Sequence, residues 1–76
     1  MLLTVEWNNR EESVEIYCDR DGLELLVERL GKLAKSTKAD NHDHLMTPSW
    51  AGTELTEEKQ GNGNMLVNHL RITLLP

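Results

Sequence analysis

Apolar and polar side chains alternate from Leu2 to Trp7, with Leu3, Val5 and Trp7 on one side and Thr4 and Glu6 on the other. That two-residue period is the mark of a half-buried strand. The polar run Asn-Asn-Arg-Glu-Glu after Trp7 breaks it. Alternation resumes from Ser13 to Cys18, where Val14, Ile16 and Cys18 face one way and Glu15 and Tyr17 the other. Two such runs joined by a short polar link predict an antiparallel hairpin.

From Asp19 the period changes. Leu23, Leu26, Val27, Leu30, Leu33 and Ala34 recur at three- and four-residue steps and form one apolar stripe, which predicts an amphipathic helix. Asp21 and Glu24 have the spacing of a capping box, and Lys32, Lys35 and Lys38 suit the negative end of the helix dipole. Gly31 costs about 1 kcal/mol relative to Ala inside a helix, which a closely packed strand would explain; otherwise it marks early fraying.

Beyond the helix, His44 to Thr47 predicts a third strand, ended or placed at an edge by Pro48. Thr53 to Thr56 would extend it past a bulge at Ala51 and Gly52. The stretch Glu-Glu-Lys-Gln-Gly-Asn-Gly-Asn has the composition of an exposed hairpin loop, and Met65 to Leu75 is long enough for a final strand. The expectation is one α+β domain over residues 1–76, ordered ββαββ. It comprises an antiparallel sheet of about four strands with one helix on one face. Leu66, Leu70, Ile72 and Leu74 are expected on the covered face. Val67, His69, Arg71 and Thr73 are expected on the open one, beside Glu15 and Tyr17.

Composition narrows the function. A 76-residue chain with 38% hydrophobic residues and no Phe can bury only a modest core, roughly 60% of its unfolded surface at this size. The net charge of -5 and the lack of any basic run disfavour nucleic acid, whose phosphates demand clustered Lys and Arg. A basic protein partner fits better. Cys18 stands alone, which excludes an internal disulfide. Leu2 and Leu3 do not make a signal peptide without a basic lead and a longer apolar run, and no membrane-spanning run follows. A cytoplasmic location and no membrane partner are therefore expected.

Candidate chemistry concentrates in Asp40–Gly52. On a strand, His42 and His44 project to one side and Asp43 to the other. His69 could complete a three-nitrogen set of the kind zinc accepts, so His42, His44 and His69 are the candidate metal ligands, although no thiolate pair accompanies them. Solvated or hydrogen-bonded histidines are the commoner outcome. Cys18 is expected beneath the helix, where a thiol is inert, and Ser49 has neither a placed base nor a glycine-rich elbow. No catalytic residues, no cofactor and no enzyme activity are expected. Trp50 either locks the strand end onto the core, the favoured reading, or anchors an interface.

The run His44–Leu55 (HLMTPSWAGTEL), taken with Val67–Leu75 (VNHLRITLL), resembles the Immunity protein 32 family of bacterial polymorphic-toxin systems, with Ala51 and Gly52 where the family carries a glycine pair. The resemblance implies a small α+β protein that neutralises a cognate toxin, and it brings no catalytic residues. The expected activity is thus binding by occlusion, with Tyr17, His44, Trp50, His69 and Arg71 as contact candidates. Rival readings are a metal-dependent hydrolase or nuclease built on the three histidines and a dimeric regulator. One helix against four strands leaves an uncovered face or edge, which predicts a homodimer sealed by the final strand around Leu75.

Overall fold

The computed structural model describes residues 1–76. Strands β1 (Leu3–Asn8) and β2 (Ser13–Cys18) form the expected hairpin, in a register that sets Leu3 against Cys18, Val5 against Ile16 and Trp7 against Val14. Helix α1 (Arg20–Ala34) follows directly. Strand β3 (His42–Met46) leads into a 3-10 turn at Pro48–Trp50, and β4 (Met65–Val67) and β5 (His69–Thr73) close the chain. The architecture is α+β, with an antiparallel sheet ordered β2-β1-β4 and an antiparallel pair β3-β5.

The final strand is broken in two. At Asn68 it leaves β1 and joins β3: the Asn68 carbonyl accepts from the Thr47 N–H at 3.0 Å, and Thr47 Oγ1 donates to Asn68 Oδ1 at 2.8 Å. The break shifts the alternation by one position. Val67 and Leu70, three apart, both pack on the core, whereas Leu66 pairs with Glu6 on the opposite face. The expected exchange of faces at Leu66 and Val67 is therefore reversed, because a bend was not visible in an unbroken apolar pattern.

Helix α1 starts two residues earlier than the Asp21–Glu24 spacing suggests. Asp19 is its N-cap, its side chain accepting from the Gly22 N–H at 2.8 Å. Gly22 then fixes the rotation of the helix: a Cβ there would lie 1.9 Å from the Leu2 carbonyl oxygen, so only glycine permits this approach to β1. With Gly22 inward, Leu26, Arg29 and Leu33 follow at helical spacing and face the same way. Leu23, Val27 and Leu30 turn outward and are exposed. The predicted single stripe is thus divided.

The core is built from Leu3, Val5, Leu45 and Leu55, with Cys18, Leu25, Leu26, Val67 and Leu70 packed around them. Arg29 crosses from α1 to β3 and grips Asp43 with both ends of its guanidinium, Nε to Oδ2 at 2.6 Å and Nη2 to Oδ1 at 2.5 Å. Thr53–Thr56 is not a strand, and no bulge occurs at Ala51–Gly52. Ala51 instead turns the chain in the left-handed conformation (φ 64°). The chain from Thr53 to Asn64 is a strap laid along β1: the Thr56 N–H donates to the Leu3 carbonyl at 2.7 Å, and the Leu3 N–H donates to Thr56 Oγ1 at 2.9 Å.

That strap roofs the polar face of the hairpin, which the alternation had left open. Glu6 is 0% exposed, and its carboxylate accepts from the backbone N–H groups of Gln60 and Gly61, both at 2.9 Å, from Thr4 Oγ1 at 2.6 Å and from Asn64 Nδ2 at 3.0 Å. Burial pushes its pKa up, but the four donors outweigh burial and hold it down to about 2. An ionised carboxylate survives at the centre of the sheet because every lobe of it is hydrogen-bonded.

Candidate binding surface

The face of β3-β5 turned away from α1 collects most of the chemistry that the sequence nominated. Antiparallel pairing sets His44 opposite Arg71, and Met46 opposite His69, so the two imidazoles stand diagonally across the pair. His44 Nδ1 and His69 Nε2 lie 2.7 Å apart, and the rings are stacked at 22° with centroids 4.9 Å apart. One nitrogen donates and the other accepts, so at least one ring is neutral at its bonding nitrogen. His42 meets His44 edge-on at 4.7 Å.

Trp50 belongs to the same surface. It is 55% exposed, and its ring centroid lies 6.0 Å from that of His69. The core reading of Trp50 is overturned. Pro48 and the 3-10 turn carry the indole past the end of β3, where Leu55 fills the core position instead. Tyr17 is not part of this group. It sits on β2, where its hydroxyl donates to Glu15 Oε1 at 2.9 Å. Asn64 Nδ2 links the same Glu15 oxygen to the Glu6 network.

Electrostatics separates the two sides of β3. Beneath the sheet, the Arg29 guanidinium holds the Asp43 carboxyl below its ordinary range. On the outer side, partial burial pushes the His44 pKa down, and His42, His69 and Arg71 add to the effect. The outward surface thus joins four ring systems and a guanidinium within an otherwise acidic chain.

The histidine geometry is that of a hydrogen bond. Two nitrogens on one tetrahedral zinc, each about 2.0–2.1 Å from the metal, stand more than 3 Å apart, whereas these stand at 2.7 Å. No group of three or more His, Cys, Asp or Glu side chains is arranged to hold a metal ion. The surface is flat around His44, His69, Trp50 and Arg71, which line none of the three depressions on the molecule; His42, at its margin, borders one of them. Flat, ring-rich ground suits a macromolecule better than a small substrate.

Comparison with known families decides the kinship. The profile of Immunity protein 32 matches residues 13–70, which is more than half of the chain. The chain belongs to the Immunity protein 32 family. No curated protein and no solved structure matches it. The match covers β2, α1, β3, β4 and the first two residues of β5, so His44, Trp50 and His69 fall inside it while Arg71 lies just beyond. A family of this description points to a toxin-neutralising role. No helix is long and apolar enough to cross a membrane.

The residue that sequence reasoning missed is Glu6. Its only sequence signal was a carboxylate in mid-strand opposite an apolar face, which ordinarily means solvent. Three of its four partners lie 54 to 58 positions away, beyond the reach of any local pattern.

Proposed function

We propose that this Immunity protein 32 member is a binding protein without catalytic activity that neutralises a cognate toxin in the cytoplasm by occluding it. The observation that carries the reading is the cluster of half-buried His44 and His69 with exposed Trp50 on a flat sheet face, with Arg71 set opposite His44. Tryptophan and arginine are the residue types that most often dominate interface energetics, and stacked imidazoles present both a donor and an acceptor at small entropic cost.

The net charge of -5 contributes at longer range by steering a basic toxin toward the surface. Arg71 and the histidines then supply short-range contacts to carbonyl or carboxylate groups of that toxin. Tyr17, tied into the Glu15 network, serves the fold in this reading.

Co-expression with the toxin encoded beside it tests the proposal. The protein should restore growth and co-purify with the toxin, and Trp50→Ala or Arg71→Glu should weaken the complex at least tenfold while the fold persists. Absence of both rescue and complex at low and moderate salt would overturn it.

A further inference from the structure

The Thr53–Asn64 strap ends in a tight turn from Gly61 to Asn64, closed by the Asn64 N–H donating to the Gly61 carbonyl at 3.1 Å. Gly63 holds its third position at φ 82°, the left-handed conformation that a type II turn demands there. Both ends of the turn are fixed. The Gly61 N–H donates to Glu6 Oε1 at 2.9 Å, and Asn64 Nδ2 donates to Glu6 Oε1 at 3.0 Å and to Glu15 Oε1 at 2.9 Å. A Cβ on Gly61 would collide with the Asn64 amide, so the two ends have no slack between them.

The middle of the turn is free. Asn62 and Gly63 are exposed, and the Asn62 side-chain amide, the Asn62 carbonyl and the Gly63 N–H make no hydrogen bond within the chain. With Asn8 to Glu11 of the β1-β2 turn they line a depression built from polar residues alone, so water reaches the Asn62 amide. Asparagine is among the chemically labile residue types, and this one is set apart from the others. The side chains of Asn8, Asn41, Asn64 and Asn68 are held by partners. Asn9 is exposed, but Arg10 follows it and crowds the next amide. Only Asn62 precedes a glycine, whose amide nitrogen has no Cβ beside it.

We propose that Asn62 is a site of spontaneous modification, at which the asparagine is converted through a cyclic imide to aspartate and isoaspartate. Hydroxide takes the proton of the Gly63 amide, and the nitrogen attacks the side-chain carbonyl carbon of Asn62. A C–N bond forms there, and the side-chain nitrogen leaves as ammonia, taking its proton from water and restoring hydroxide. Water then opens the ring at either carbonyl. Breaking the new C–N bond gives aspartate; breaking the original peptide bond gives isoaspartate, whose main chain runs through the side-chain carbon. One water is consumed and one ammonia released, and nothing is oxidised or reduced. The attack requires the peptide plane between Asn62 and Gly63 to rotate. Neither of its polar groups has a bond to lose, glycine tolerates the new dihedral, and a brief opening of the Asn64–Gly61 bond suffices. Isoaspartate adds one backbone carbon between two ends without slack, so Gly61 or Asn64 must give up its bond to Glu6. The roof over Glu6 thereby loosens as the protein ages.

Incubation of the intact folded chain for several days in mildly alkaline buffer, followed by peptide mass spectrometry, tests the proposal. The amide-to-acid mass gain should accumulate at Asn62 at least tenfold faster than at any other asparagine, with isoaspartate detected by enzymatic methylation of its free α-carboxylate. Asn62→Ser should abolish the gain. Fresh Asn62→Asp protein, which carries the charge without the extra backbone carbon, should keep the denaturation midpoint of the fresh wild type, whereas the isoaspartate fraction of aged wild type should unfold at lower denaturant. An Asn62 amide that persists in the folded chain while the same chain loses it in denaturant would overturn the proposal, as would a gain spread evenly over the asparagines. An isoaspartate form as stable as fresh protein would overturn the loosening of the roof.

Discussion

Two polar faces of this protein start from similar material and end differently. The hairpin face carries Thr4, Glu6, Glu15 and Tyr17, and the β3-β5 face carries His42, His44, His69 and Arg71. On the first, the Thr53–Asn64 strap supplies backbone donors, and Thr4 and Glu6 become completely buried. On the second, no segment crosses over: the rings of His44 and His69 bond only to each other and stay half-buried, while His42 and Arg71 are exposed. Alternating sequence declares only that a face is polar. Whether it becomes a roofed network or a contact surface depends on where a distant loop comes to lie.

The sharpest way to break the contrast is at Glu6. Glu6→Ala strands four donors under the strap and should lower unfolding free energy by about 3–5 kcal/mol, enough to threaten the fold of so small a chain; Glu6→Gln, which keeps one acceptor, should cost less. Chemical denaturation at pH 7 reads both. Little change in either would show that the roof is held by something other than this carboxylate.

Acid titration examines the same contact without mutation. The folded pKa of about 2 lies below the unfolded value of 4.5, so the contribution of Glu6 is complete above about pH 5 and disappears as pH falls through 4.5 toward 2. The sign follows because the unfolded chain binds the proton first. At most about 3 kcal/mol is at stake, and Glu6→Gln should flatten the profile over that interval. A profile as steep in the variant as in the wild type would assign the acid sensitivity elsewhere.

Under the open face, the half-buried Arg29–Asp43 pair ties α1 to β3. Arg29→Ala or Asp43→Ala should lower stability by about 1–2 kcal/mol, between the Glu6 effect and that of an exposed pair. A double-mutant cycle gives the coupling directly, and coupling near zero would reduce the pair to a surface decoration.

The smallest stability effect belongs to the open face itself. Trp50→Ala should change stability by less than about 0.5 kcal/mol, in contrast to a buried tryptophan, while toxin affinity falls as stated above. The His44 imidazole should titrate below the ordinary histidine value of about 6.5 in NMR spectra. Because its folded pKa is depressed, a small stabilisation present near neutral pH is lost as the solution is acidified below 6.5. Titration above the ordinary value would mean that burial and the cationic neighbours do not dominate at this ring.

The hairpin, the helix and the pairing of His44 with His69 were legible because each rests on a local period or on the adjacency of two strands. The helix rotation was not, since six apolar residues fit one stripe equally well until the contact of Gly22 with Leu2 selects Leu26 and Leu33 for burial. The break at Asn68 was hidden by a run of apolar residues that reads the same with or without a one-residue shift. Trp50 was misplaced because a large ring near a strand end usually goes inward. Here Leu55 returns after the turn to occupy that place. In each case the decisive contact is long in sequence or depends on backbone approach.

The placement of β1 between β2 and β4 has a consequence for the order in which the fold is assembled. The central strand is made first, but its second neighbour, Met65–Val67, and the donors of Gln60, Gly61 and Asn64 arrive some 55 residues later. During synthesis the hairpin and α1 can form with Glu6 uncovered, and the sheet closes only when residues 60–67 emerge. Strand β5, bearing His69 and Arg71, comes later still. Such non-local closure slows folding relative to a chain of local contacts, and the proposed toxin-facing surface is completed at its last step.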